Sequence, residues 1–279
     1  MIEQPFSDLE AWVAFYGQAQ IPVLRRTVQE LDRLRENAEN VNGRIVAGVI
    51  LQDPLMTLRV LQYIEEHRRK RQTTDITTIE RALMMIGIEP FFRDFQELPL
   101  VEERLKSHPK ALLGLLKVMN RARKASQWAR EWAFARHDLD VDEITVATLL
   151  HDVAELLMWC FAPNLALGVR DRQAADRTLR SSTAQTDAYQ VGLQDLQTRL
   201  SRLWRLPELL LTLMDHAKAE NPRVKNVVLA VDLARHSANG WDDAALPDDF
   251  EAIEELLRIS HDTLLRKLGI EPPDNSQPQ

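Results

Sequence analysis

The chain reads as an all-α protein. Three observations predict this. Leu, Ala, Arg and Glu are abundant while only 9 of 279 residues are glycine, a composition that favours helices over sheets. Helix-start signals recur along the chain, with Asp53-Pro54, Thr77 to Glu80 and Asn221-Pro222 as clear cases. No stretch alternates apolar and polar residues as a half-buried strand would.

Taken in order, Ser7 and Glu10 form a capping-box pattern for a short first helix ending near Tyr16-Gly17. Residues 22–37 give a second helix with Pro22 at its start, and residues 43–52 a third. Asp53 is placed to cap a fourth helix whose first residue is Pro54 and whose inward set is Leu55, Leu58, Leu61, Tyr63 and Ile64. A basic and then Thr-rich loop follows at residues 67–75. A second capping box, Thr77 to Glu80, opens a helix that Gly87 stops. Three prolines make residues 90–109 a connector. One long helix is expected over 110–136, where Ala125, Trp128, Ala129, Trp132 and Ala133 recur at helical spacing.

The stretch at 144–161, ITVATLLHDVAELLMWCF, is the centre of the sequence. As one helix it presents Thr145, Thr148, His151, Asp152 and Glu155 within about a third of its circumference, and apolar residues elsewhere. Such a helix is buried on most sides and carries an adjacent His-Asp pair on its polar stripe. Residues 164–204 give one or two helices, and Leu206-Pro207 opens another that contains His216. Asn221-Pro222 starts a helix ending at Gly240. An acidic loop precedes a closing segment at 250–268 and a disordered tail.

Composition narrows the function. The net charge of −7 argues against general nucleic-acid binding, which needs a basic face. The single cysteine, Cys160, excludes an internal disulfide and a cysteine-based zinc site, and its apolar setting predicts a buried, inert thiol. The N-terminus shows no secretion signal, and Asp152 and Glu155 interrupt the one long apolar run, so a cytoplasmic protein without a membrane role is expected. Arg68, Arg69, Lys70 and Arg71 could meet phosphates, but Glu65 and Glu66 precede them and a solvated loop is expected. Trp128, Trp132, Trp159 and Trp204 lie on apolar faces and read as core. No phosphate-binding glycine loop, Cys-x-x-Cys pair or Gly-x-Ser-x-Gly elbow is present.

Four segments in order resemble the HDOD family, the HD-related output domains of bacterial signalling proteins. They are VAGVILQDPLMTLRVLQYI at 46–64, ITTIERALMMIG at 76–87, ATLLHDVAELLMW at 147–159 and VGLQDLQTRLSRLWRLPELL at 191–210, with residues 227–234 beyond them. The resemblance implies a small N-terminal helical subdomain (1–108) packed on a degenerate HD-type helical subdomain (109–269), with a tail at 270–279. In the related metal-dependent phosphohydrolases a first His, an adjacent His-Asp pair and a distal Asp hold the metal. His151 and Asp152 match the pair and Asp232 the distal Asp, while Ala125 stands at the first His. A further His expected before Val191-Gly192 is also missing, with Ala188 and Tyr189 in that region, and Ala154 or Glu155 replaces a glycine.

The expected site is therefore a vestigial polar pocket of His151, Asp152, Asp232 and His216, with no cofactor. His261-Asp262 repeats the dipeptide on an apolar helix face without a polar stripe and is set aside as a packed or edge pair. What the resemblance implies is a non-catalytic, stand-alone regulatory adaptor with protein partners in a signalling pathway. Two rival readings stay open. One is a metal-dependent phosphohydrolase acting on a nucleotide or cyclic dinucleotide, with His151, Asp152 and Asp232 as ligands. The other is a binder of a nucleotide or other small ligand without hydrolysis.

Overall fold

In the computed structural model, residues 1–37, 41–67, 75–176 and 178–270 are described. Among them there is no strand, only an isolated parallel bridge between Val23 and Leu100. The all-α expectation holds. The basic run at 68–71 and the tail at 271–279 lie outside the described residues.

The first helices follow their caps rather than their prolines. Helix α1 (Leu9–Gln18) is capped by Asp8, whose carboxylate accepts from Ala11 N at 2.9 Å. Ser7 only donates to that carboxylate, so the capping box at Ser7 is displaced by one residue. Pro22 does not open a helix. Val23 N donates to Pro99 O at 2.9 Å and Val101 N to Val23 O at 2.9 Å, which holds the backbone extended until α2 (Arg25–Glu36) begins. Helix α3 (Gly43–Ile50) leads to Asp53, which accepts from Leu55 N and Met56 N and so caps α4 (Pro54–Glu66) as expected.

Thr78, not Thr77, caps α5 (Ile79–Ile86), because the Thr77 hydroxyl is taken by Glu143 Oε1 at 2.8 Å. Gly87 ends α5 at φ +88°, a backbone conformation that L side chains rarely adopt. The connector expected at 90–109 is partly helical, with α6 (Ile88–Asp94) and α7 (Val101–Arg104). The long helix is present as α8 (Pro109–Ala135).

The central stretch is not one helix. It breaks into α9 (Val141–Leu150) and α10 (Val153–Phe161) at His151-Asp152. Three helices follow where one or two were expected: α11 (Pro163–Ala175), α12 (Ser181–Tyr189) and α13 (Leu193–Leu203). Helix α14 (Glu208–Leu213) stops early, which leaves His216 in a 3-10 turn, His216–Lys218. Asn221 caps α15 (Pro222–His236), accepting from Arg223 N at 2.9 Å. The expected acidic loop already contains the start of α16 (Leu246–Leu257), and a left-handed Arg258 separates it from α17 (His261–Leu268).

Helix α8 forms the spine, packed against α9, α10 and α15. It meets α10 at Gly114, where any Cβ would run into the Trp159 ring. The N-terminal segment is fastened to the ends of α10 and α12. Ile2 N donates to Phe161 O at 2.8 Å, and buried Trp12 Nε1 donates to Tyr189 O at 3.1 Å. Among the described residues one helical stretch is long and apolar enough to cross a membrane, Val141–Phe161, and it is 83% buried inside the protein. Cys160 is fully buried there, and burial pushes its thiol up, out of the reactive range.

Candidate functional site

The break between α9 and α10 is made by a side chain from elsewhere. In an unbroken helix Ala154 N would donate to Leu150 O. Instead the buried Gln197 of α13 enters the gap. Its Oε1 accepts from Ala154 N at 2.8 Å and its Nε2 donates to Leu150 O at 3.1 Å. Both backbone groups freed by the break are thereby satisfied, as buried groups must be. Because Gln197 caps α10, Asp152 at the N-cap position makes no side-chain cap bond and its carboxylate is free for the site.

Asp152 is the hub. Its Oδ1 accepts from His151 Nδ1 at 2.9 Å and its Oδ2 from Arg121 at 2.8 Å, with Arg235 3.7 Å from Oδ1. The same Arg121 nitrogen donates to Glu155 Oε2 at 2.6 Å. Burial alone would raise the Asp152 carboxyl. The neighbouring Arg121, the His151 hydrogen bond and Arg235 outweigh it and hold Asp152 well below the usual carboxylate range. Burial likewise opposes the charge on Arg121, but Glu155 and Asp152 overcome it and push the guanidinium up, so it stays charged. Two carboxylates and one largely buried cation make a closed ionic unit.

The histidines extend it. His151 Nε2 and His216 Nε2 are 2.7 Å apart. Two ring nitrogens at this distance share one hydrogen, one donating and the other accepting. The contacts link His216, His151 and Asp152 in one row. Partial burial and the neighbouring His151 pull the His216 imidazole below its ordinary value. Asp232 stands at the edge, joined to the cluster through Arg235 at 3.4 Å. The structure thus gathers His151, Asp152 and His216 directly and Asp232 through an arginine.

This donor set does not fit a divalent ion. Two imidazole nitrogens on one tetrahedral ion, each at about 2.1 Å, stand roughly 3.4 Å apart, whereas these are at hydrogen-bond distance. Both Asp152 oxygens already carry hydrogen bonds. Ala125 is buried and offers only a methyl group. One turn earlier on the same face of α8, Arg121 brings a fixed positive charge to the carboxylates. Among the described residues no group of three or more His, Cys, Asp or Glu side chains is arranged to hold a metal.

Sequence reasoning passed over Arg121, Arg235 and Gln197. Arg121 carried one usable signal, its four-residue offset from Ala125. The second dipeptide stays apart as expected: His261 is exposed, pairs with Glu254 through Nδ1 at 2.6 Å and meets only the edge of Phe250.

Comparison with known proteins agrees with this architecture. The family model described as HDOD domain matches residues 21–220. A comparison with curated protein sequences finds no match. Among solved structures, the MmoQ response regulator of Methylococcus capsulatus is similar with a TM-score of 0.64 and 17% identity, covering 90% of this chain and 99% of that one. A virulence factor of Campylobacter jejuni is similar with a TM-score of 0.64 and 18% identity, covering 96% of this chain and 94% of that one. At these identities the likeness is one of fold.

Proposed function

Because the chain belongs to the HDOD family, whose domain model spans most of its length, we propose that it is a non-catalytic regulatory module that acts through protein partners in signal transduction. The observation that carries this reading is Arg121, whose guanidinium lies between Asp152 and Glu155. A cation built into the chain neutralises the carboxylates that a hydrolase would spend on a metal. The His151 nitrogen that could face a substrate or an ion is occupied by His216. What remains can lock α8, α9, α10 and the His216 turn in register.

In this reading the protein needs no cofactor. Purified protein would be assayed for bound manganese, iron, zinc and nickel and for hydrolysis of p-nitrophenyl phosphate esters in the presence of each ion. Substoichiometric metal and no hydrolysis above background are expected. Stoichiometric metal that disappears in Asp152→Ala, together with metal-dependent turnover, would overturn the proposal and install the phosphohydrolase reading.

A further inference from the structure

A second site lies on the other side of α8. Residues 121 and 123 of that helix point about 200° apart, so Arg121 enters the polar cluster while Arg123 faces α2 and α3. Between these helices is a cleft of about 300 Å³, lined by Leu24, Arg26, Thr27, Glu30, Gly48, Val49, Gln52 and Arg123. That volume is at the lower end of small-molecule sites.

Its charges are unbalanced. Among the described residues Arg26 has no ion-pair or hydrogen-bond partner, and Arg123 bonds only the amide oxygen of Asn120, at 3.2 Å. The one acidic liner, Glu30, is already engaged by Arg33 at 2.9 Å. In a chain of net charge −7, two guanidinium groups line this cleft beside a single carboxylate that is already paired.

The walls are braced. Buried Asp53 accepts from Leu24 N at 2.8 Å and from the Thr27 hydroxyl at 2.9 Å while it caps α4, which ties the start of α2 to the start of α4. Gly48, within α3, is one of the lining residues. A Cβ at Gly48 would meet no atom within 4 Å, so packing does not require glycine there, and glycine inside a helix costs about 1 kcal/mol relative to alanine. An occupant that comes close to the α3 backbone would account for it.

We propose that this cleft binds a small phosphate-bearing molecule. Arg26 and Arg123 would receive the phosphate, since planar guanidinium forks match its oxygens, and Gln52 would hydrogen-bond the remainder. This inference is independent of the reading of the His151 cluster.

The test is thermal unfolding of the full chain titrated with inorganic phosphate through the millimolar range, against sodium sulfate at matched ionic strength. Sulfate controls for the general stabilisation that excluded anions produce. The native protein should show a saturating rise in midpoint with phosphate beyond the sulfate response. Arg123→Gln should weaken half-saturation at least about tenfold. Gly48→Leu, which puts a side chain into the cleft from a position where a Cβ meets no atom within 4 Å, should abolish the phosphate-specific rise while it keeps the native midpoint in chloride. A native response no larger than that to sulfate, or an equal phosphate response in both variants, overturns the proposal.

Discussion

Replacing Gln197 by alanine tests how the site is built. The side chain makes two hydrogen bonds across the gap between α9 and α10, to Ala154 N and Leu150 O. It is 5% exposed, so water does not replace it readily. Each buried backbone group left unpaired costs about 1–3 kcal/mol, so Gln197→Ala, which leaves two, should lose about 2–6 kcal/mol. Urea unfolding followed by circular dichroism would measure the loss. A loss below about 1 kcal/mol for alanine would refute the reasoning. It would mean that Leu150 and Ala154 simply close their own helical bond and that the wedge does not hold the break open.

Gly114→Ala should cost about 1–3 kcal/mol in the same assay, because the added methyl meets the Trp159 ring and α8 must move away from α10; an unchanged midpoint would contradict that contact. The His216 imidazole is pulled below its ordinary value, so the unfolded chain binds the extra proton first and stability falls as pH drops below about 6.5. His216→Gln should flatten stability between neutral pH and mild acid, and an unaltered slope would count against the His216–His151 bond. Asp152 acts lower. Its depressed carboxyl contributes stability that is complete above the ordinary Asp value near about 3.9 and lost as pH falls toward the folded value, so Asp152→Asn should reduce the steepness of acid unfolding below about pH 4.

What was legible in the sequence was mostly local. Asp53-Pro54 marks a helix start because capping and proline geometry involve neighbouring residues, and Gly87 and Asn221 were readable for the same reason. The all-α class and the His-Asp pair were also readable from composition and helical spacing, while the roles of His151, Asp152 and Asp232 in one pocket came through family resemblance. Decisions made by distant partners were not legible. Thr77 and Thr78 look alike as caps until Glu143 takes Thr77. Pro22 reads as a helix start until Pro99 and Val101 hold Val23 extended. The apolar pattern at 144–161 is continuous, and only Gln197, dozens of residues later, breaks it. Arg121 sits among other cations in NRARK and looks solvated until α8 turns it toward Asp152 and Glu155.

The central claim is that a guanidinium in the chain does the work of neutralising this site. A double-mutant cycle on Arg121→Met and Asp152→Asn, with each unfolding free energy measured in urea at neutral pH, tests it most directly. Breaking a largely buried pair from either side strands a charge or a polar group, so each single change should be costly and the pair less costly than their sum. A coupling of about 1.5 kcal/mol or more is predicted. Additive effects, with no coupling between the two residues, would contradict the account.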